Sequence, residues 1–388
     1  MLKVQEFLQT KSLDDLKTEL GIDYSSYEDL IILNYSQFDS PKANPIVMEC
    51  RGLILQRDTW KVICFPFKRF FNCDEVQELN ADFDFSNAVG LEKIDGSLIS
   101  LFNYKDTWLM STRGKIENSE KLSFSNLTFK TLFHLTASQY PRFWSALSDN
   151  YTYTFELVSP ENRVVTIYDK RELYLLSVRN YSLEEIKFDH LKTIAGNLGV
   201  NFPKIVDFKT KMEILDLAKS LKALQEGFVA VDYSKIDDLS FRRVKVKNPA
   251  YVAIHHLKDS ACKSARSLMR VILSNEQAEI IVYFPEFKGM LEDIQVKYEA
   301  YLKQVEFDEK DIGDLFQLDY KNKENKKIFA ANVIKKAESA YFFAKFYGKV
   351  KDFNEFYKNI EADKGSKYIE KMWVDKLKLN DVQFVKEE

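Results

Sequence analysis

The stretch EKIDGSLISLF, residues 92–102, sets a lysine two positions before an Asp-Gly turn that runs into an apolar strand. An isolated Lys-x-Asp-Gly is ordinarily the solvated lip of a hairpin. A lysine becomes a nucleophile only when its amine is neutral, and nearby positive charge and desolvation favour that form. A nucleoside triphosphate is a natural electrophile for such an amine. Its phosphates require cations and a metal to offset charge in the transition state. Lys93 therefore has chemistry to do only if clustered lysines and arginines, and a few carboxylates, occur elsewhere in the chain.

They do occur. In SFRRVKVKN, Lys245 and Lys247 are two apart in a strand-like segment and point to one face with Arg243, while Val244 and Val246 face the other way. The bland reading of this pair is an exposed edge strand guarded by lysines. In TYTFELVSPENR, Glu156 sits between Phe155 and Leu157, where a buried carboxylate requires a partner. EGFVAV repeats the pattern, with Glu226 opening the strand. MECRGLIL places Arg51 before a glycine and a β-run. FKRFFN supplies Lys68 and Arg69, and STRGK supplies Arg113 and Lys115 at a strand end.

The elements that must position these groups are legible in outline. Ser12 and Asp15 form a capping box ahead of Leu16 and Leu20. From about residue 30 to 257, short β-branched and aromatic runs recur between turn residues. Residues 97–104 and 107–112 read as an antiparallel hairpin. Helical stretches interrupt the runs near 118–149 and 209–224. Beyond 258 the pattern is helical. Leu291, Ile294, Tyr298, Tyr301, Leu302 and Val305 recur at spacings of three and four, and so do Phe329, Val333, Ala337, Ala340, Tyr341 and Ala344. The expected architecture is α+β over 1–257, followed by an all-helical domain over 258–388.

The chain of 388 residues is 45% apolar and 30% charged, with net charge −3, so any nucleic-acid partner needs a local basic patch. Four cysteines without C-x-x-C spacing and four histidines argue against a zinc site or a disulfide framework. The charged N-terminus is not a signal peptide, and no apolar run reaches the roughly 20 residues of a membrane span. A cytoplasmic location is expected.

Taken in order, ECRG, KIDGS, FELV, LYLLSVR, EGFVAV and VKVK resemble the motifs of the covalent nucleotidyltransferase superfamily of polynucleotide ligases and capping enzymes. NYSQF, RFFN, FELVSPENRVV and KVKNPAYVAIH narrow the resemblance to the phage tRNA-repair type of RNA ligase, the RNA ligase 1 family. It covers about 30–257. The fold implied is an adenylyltransferase domain of antiparallel sheets with flanking helices, and the helical domain would give RNA specificity. The activity implied is ATP-dependent RNA joining. Lys93 would attack the α-phosphate of ATP to give lysyl-AMP, AMP would pass to an RNA 5′-phosphate, and an RNA 3′-hydroxyl would displace it.

By the same resemblance, Asp95 and Gly96 would form the turn that sets Lys93 on the pocket floor, Gly96 allowing close approach to the nucleotide. Glu156 would bind the ribose, and Glu226 would bind or orient Mg²⁺ or Mn²⁺. Lys245 and Lys247 would grip the α-phosphate and keep Lys93 neutral. Arg51, Arg69 and Arg113 would hold phosphates, Arg69 and Arg113 standing where lysine is usual. Glu92 would meet the adenine through its backbone, Leu176 or Val178 would stack on it, and Tyr251 would lie near the site. The partners implied are RNA with 5′-phosphate and 3′-hydroxyl ends, tRNA among them, and a separate end-healing kinase/phosphatase. No membrane partner is implied, and the chain is expected to be a monomer.

The alternatives are a DNA ligase or capping-type enzyme, or a non-catalytic RNA-binding module on the same fold. The helical tail opposes the first, because those enzymes carry a β-rich domain after the VKVK motif. The intact Lys93 and VKVK oppose the second. Between 235 and 270, basic residues including Lys258, Lys263, Arg266 and Arg270 outnumber acidic ones, forming either a basic stripe or a solvated helix face. YKNKENKK, residues 320–327, reads as a charged loop rather than a binding site. His255 and His256 read as structural.

Overall fold

The computed structural model describes residues 1–388 other than 37–38, 74, 77–82, 123–124, 223, 253, 256–263, 275–276, 278–279, 282–283, 364–365 and 380–388. The chain divides into two compact units, Met1–His255 and His256–Glu387.

The first unit opens with helices α1 (Lys3–Leu8) and α2 (Leu13–Leu20). The Ser12 side chain accepts the Asp15 N–H and the Asp15 carboxylate accepts the Ser12 N–H, while Gly21 closes α2 in the left-handed conformation. Strands β1 (Ile22–Tyr27), β2 (Leu30–Tyr35), β3 (Arg51–Gln56) and β4 (Val62–Cys64) form the first antiparallel sheet in that order, with helix α3 (Pro45–Glu49) leading into β3. Its core gathers Leu16, Ile31, Leu33, Leu53 and Leu55 beneath the N-terminal helices.

The other two sheets carry the site. Strands β5 (Ala88–Glu92), β10 (Ile205–Val206), β11 (Gly227–Asp237) and β12 (Ser240–Lys247) form one, in the order β10-β5-β11-β12. Strands β6 (Ser97–Tyr104), β7 (Thr107–Ser111), β8 (Tyr151–Val158) and β9 (Glu172–Asn180) form the other, in the order β7-β6-β8-β9. Alternation divides each strand between two faces. Ile99, Leu101, Phe155 and Leu157 pack against helices α4 (Phe129–Ala137) and α5 (Phe188–Leu198). Phe228, Ala230, Val244 and Val246 pack against helix α6 (Lys211–Ser220). The polar members of the same strands are left on the opposite faces.

The helix expected over 118–149 shrinks to α4 and a single 3₁₀ turn at Trp144–Ala146. Side chains ahead of α4 supply the reason. Asn118 accepts the Glu120 N–H and Ser125 accepts the Leu127 N–H, so short polar groups capture backbone donors that a helix would need. Thr128 then caps α4 through the Thr131 N–H.

Among its described residues the second unit is helical: α7 (Ala265–Ser274), α8 (Lys288–Asp311), α9 (Lys323–Val333), α10 (Ser339–Phe346), α11 (Phe353–Asp363) and α12 (Ser366–Leu377). Leu291, Ile294, Tyr298 and Val305 are the buried stripe of α8. The apolar series from Phe329 to Ala344 is not one helix. It breaks between α9 and α10, where buried Glu338 accepts hydrogen bonds from Tyr301 and Lys376. No helix among the described residues is long and apolar enough to cross a membrane.

Candidate active site

The two helix-backed sheets of the first unit enclose a cleft of about 160 Å³. One wall carries Leu98 from β6, Glu156 from β8 and Leu176 from β9, and Leu98 and Glu156 are direct cross-strand partners. The other wall carries Val229, Val231 and Tyr233 from β11 and Arg243, Lys245 and Lys247 from β12. Leu91, Glu92 and Lys93 close the floor, with Arg51, Phe67 and Phe70 beside them.

Lys93 stands at the end of β5, where its N–H donates to the Gly227 carbonyl. Its side-chain Nζ lies 2.6 Å from Glu226 Oε2, and Lys247 reaches the other oxygen of the same carboxylate at 3.2 Å. Asp95 is the hub of the turn that follows. Its Oδ2 accepts the N–H groups of Val165 and Thr166, its Oδ1 accepts the Tyr251 hydroxyl at 2.7 Å, and its own N–H donates to Tyr168. Asp95 therefore ties the turn after Lys93 to the loop beyond β8 and to the segment beyond β12. Gly96 also meets a packing requirement within the fold. A Cβ there would lie 2.4 Å from the Leu157 carbonyl, so glycine lets the turn lie against β8, and its N–H donates to Glu156. Gly227, at φ 138°, makes room in the same way for β12 next to Glu226.

The charges are interdependent. Burial favours the neutral Lys93 amine, but Glu226, Glu156 and Asp95 outweigh it and raise its pKa above the ordinary lysine value. These carboxylates favour the ammonium form of Lys93, against the neutral form that Lys245 and Lys247 were expected to promote. Burial opposes the Glu226 carboxylate, but Lys93 and Lys247 overcome this and hold it below its usual range. Burial pushes Glu156 up to about 7. Lys245 moves the other way: burial, with Arg51, Lys93 and Lys247 close by, depresses its pKa strongly. Arg51 keeps a buried Nη1 with no hydrogen-bond partner among the described residues. Crowded cations and an unpartnered guanidinium nitrogen make a cleft that favours an incoming anion.

Supporting groups hold these cations in place. The RFFN stretch pairs with β12 at Lys245, through Lys245 N–H to the Phe71 carbonyl and Cys73 N–H to the Lys245 carbonyl. This sets Phe70 beneath Lys245 at 4.8 Å and Arg51 at 5.5 Å. Arg243 is committed elsewhere. It donates to Glu185 and the Phe241 carbonyl, and buried Arg179 completes that ion group.

The sequence profile of a family described as RNA ligase matches residues 49–251, just over half the chain and the whole of this cleft. The chain belongs to this RNA ligase family. Among its relatives, a protein of Autographa californica nuclear polyhedrosis virus named as a bifunctional polynucleotide kinase/RNA ligase is 31% identical over 310 residues, covering 75% of this chain and 43% of the viral protein. The chain thus spans less than half the length of that relative. An RNA ligase of Rhodothermus phage RM378 is 25% identical over 362 residues, covering 78% of this chain and 81% of the phage protein. A solved Naegleria gruberi RNA ligase with pyrophosphate aligns at TM-score 0.38 and 14% identity, over 65% of this chain and 70% of that one, too distant to assign any residue.

Among the residues singled out in the sequence, Arg51, Glu92, Lys93, Glu156, Glu226, Lys245 and Lys247 line the cleft together. Arg69 and Arg113 do not line it. They flank Tyr35, their guanidinium groups 4.0 and 4.3 Å from its ring, and Arg113 also bonds Asn34 and the Tyr35 carbonyl. Arg69 Nη1 is buried without a partner among the described residues. Lys68 pairs with Asp238. Of the two residues considered for stacking, Leu176 lines the cleft and Val178 is buried in the helix-backed core. The apolar lining of Leu91, Leu98, Val229 and Val231 was not singled out from sequence. Val229 is the direct cross-strand partner of Lys245, so pairing EGFVAV with VKVK would have found it. Lys258, Lys263 and His256 lie outside the described residues.

Proposed function

We propose that this chain is an ATP-dependent RNA ligase that joins RNA 5′-phosphate and 3′-hydroxyl ends through lysyl-AMP. The observation that carries this reading is Lys93 on the floor of a cleft that also gathers Arg51, Lys245 and Lys247, where among the described residues Arg51 Nη1 has no hydrogen-bond partner and Lys245 makes no ion pair, so that the site calls for negative charge. A triphosphate would supply that charge. The Lys93 amine, once deprotonated, forms a bond to the α-phosphorus, and the bond to the β-phosphate oxygen breaks as pyrophosphate leaves with its electron pair. A 5′-phosphate oxygen of RNA then displaces Lys93, and the 3′-hydroxyl oxygen of the second end displaces AMP.

Within this reading Lys245, Lys247 and Arg51 neutralise phosphate oxygens. Leu176 and Leu98 on one wall and Val229 and Val231 on the other would sandwich a flat base, with Glu92 also lining the cleft. Glu156 would bind a ribose hydroxyl. Arg69 and Arg113 would take the outer phosphates or the RNA 5′-phosphate. Among the described residues no group of three or more His, Cys, Asp or Glu side chains could hold a metal. Glu226 nevertheless suits a hard divalent ion, because Mg²⁺ or Mn²⁺ binds through one or two carboxylates and completes its shell with phosphate oxygens and water. Such an ion would supply charge neutralisation at the phosphates.

The helical unit is assigned to RNA specificity, with a nicked tRNA as the inherited substrate class. Joining requires healed ends, so a kinase/phosphatase acts upstream; the viral relative's name places a kinase and a ligase in one protein. The test is incubation with α-labelled ATP and Mg²⁺, with Lys93→Ala alongside. Label retained on the wild-type protein through denaturation, absent from the variant and discharged by pyrophosphate is the expected result. Labelling by GTP alone would turn the reading to a capping-type enzyme. No labelling with either nucleotide or either metal would leave a binding module.

A further inference from the structure

The second unit is polarised in charge. Residues 286–319 hold four lysines and ten acidic residues, whereas 320–351 hold nine lysines and two acidic residues. The structure separates the lysines that are spent from those that are not. Lys336 pairs with Asp308 and Asp311, Lys345 with Glu309, and Lys327 with Glu324. The other six have no ion-pair partner among the described residues, and Lys321, Lys323, Lys326 and Lys349 are exposed.

Two tyrosines stand among them. Tyr320, 43% exposed, meets half-buried Tyr347 edge to face with ring centroids 6.3 Å apart, and Lys326 lies 5.9 Å from the Tyr347 ring. The platform is firmly backed. Phe329 of α9 stacks on Phe346 of α10 at 3.9 Å, and left-handed Gly348 ends α10 so that Lys349 emerges beside Tyr347. The two acidic groups nearest in sequence are occupied: Glu324 by Lys327, and the Asp319 carboxylate by the Lys321 N–H.

We propose that this surface, Tyr320 and Tyr347 with Lys321, Lys323, Lys326 and Lys349, docks a single-stranded or looped segment of RNA. Unpaired lysines follow a phosphate backbone, and an exposed tyrosine ring offers a stacking face to an unpaired base. An acidic protein would match the charge as well, but the exposed ring set among lysines adds the stacking face that an unpaired base between phosphates uses. The sequence favoured a solvated charged loop at 320–327. The structure corrects this, since 323–327 open helix α9, and it adds that Tyr320 just ahead of that helix meets Tyr347, more than 20 residues away in the chain. The proposal rests on the RNA-joining reading and extends it to a surface remote in sequence from Lys93.

The test uses the full chain without ATP and a fluorescein-labelled RNA stem-loop, with affinity read by anisotropy at several salt concentrations. The variants are Tyr320→Ala and the triple Lys321→Glu, Lys323→Glu, Lys326→Glu. All four side chains are exposed, so the melting temperature should not change. Expected results are at least tenfold weaker binding for each variant. For the triple variant, the slope of log affinity against log salt should be shallower by about two, at roughly 0.7 per lysine–phosphate contact. Labelling of Lys93 by ATP should match the wild type in both. Affinity and slope within twofold of wild type would overturn the proposal while leaving the ligase reading intact. Tight binding of polyglutamate that competes with RNA and is lost in the triple variant would also overturn it, reassigning the surface to an acidic protein. Failure of the wild-type protein to label with ATP would instead sink the ligase reading.

Discussion

Lys93 and Glu226 form a short ion pair, 2.6 Å between Nζ and Oε2, at the centre of the cleft, and Lys247 shares the same carboxylate. Glu226 is the largest of the charges that favour the ammonium form of Lys93. Removing the negative neighbour destabilises the charged form, so Glu226→Gln should lower the Lys93 pKa. The Lys93 peptide should then acylate faster with a succinimidyl ester near pH 8, as read by mass spectrometry. ATP-dependent labelling of the same residue should fall by about 100-fold, as expected when an ionic hydrogen bond and a metal-binding group are lost together. Slower acylation in the variant would show that Glu226 does not hold Lys93 protonated.

The bond from Tyr251 to Asp95 predicts a separable defect. Tyr251→Phe keeps the buried ring and removes only the hydroxyl that Asp95 Oδ1 accepts. A hydrogen bond to a charged group contributes about 1.5–3 kcal/mol. If that bond orients the turn, the rate of Lys93 labelling falls by about 10- to 100-fold with the KM for ATP little changed. Tyr251→Ala should lower the melting temperature as well. Equal rates for Tyr251→Phe and wild type would limit Tyr251 to packing.

Much of the site was legible because it lies on strands, where a period of two fixes the face. Lys245 and Lys247 opposite Val244 and Val246, and Glu156 between Phe155 and Leu157, needed no partner to be read. What the sequence left hidden depended on pairing and on long-range contacts. Arg69 and Arg113 share a charge type with Arg51, but their stacking on Tyr35 is set by chain packing that no local pattern encodes. The Asp95 hub joins residues 73 and 156 positions away. The role of Gly96 depends on the Leu157 carbonyl, which sequence cannot place beside it.

The choice between Leu176 and Val178 failed for a specific reason. The β8–β9 register passes from Thr154↔Ser177 to Phe155↔Leu175, leaving Leu176 as an extra residue on β9. This bulge reverses the alternation, so that Leu175 and Val178 both enter the core and Leu176 enters the cleft. Leu176→Ala should therefore raise the KM for ATP by about tenfold, the loss of roughly 1.4 kcal/mol of apolar contact with the base, with little change in melting temperature. Val178→Ala should leave KM alone and cost about 1–3 kcal/mol of stability. The opposite pattern would mean that the bulge is misplaced.

Glu185 makes a prediction about acid stability. Its carboxylate is buried and accepts from Arg243, Arg179 and the Phe241 N–H. Burial opposes the charge, yet the two arginines overcome it and hold the Glu185 pKa below its ordinary value. A group whose pKa is lower folded than unfolded adds stability that is complete above the unfolded value, about 4.3 for glutamate. That stability is lost as pH falls through the folded value. Glu185→Gln should therefore be less stable than wild type at pH 7 by about 3–5 kcal/mol, since it leaves two buried guanidinium groups uncompensated. The gap in melting temperature between the two proteins should stay constant from pH 7 to 5 and narrow below about pH 4. A gap that is already absent at pH 7 would show that the arginines, not the carboxylate, carry the network through their bonds to the Pro66, Leu183, Leu239 and Phe241 carbonyls.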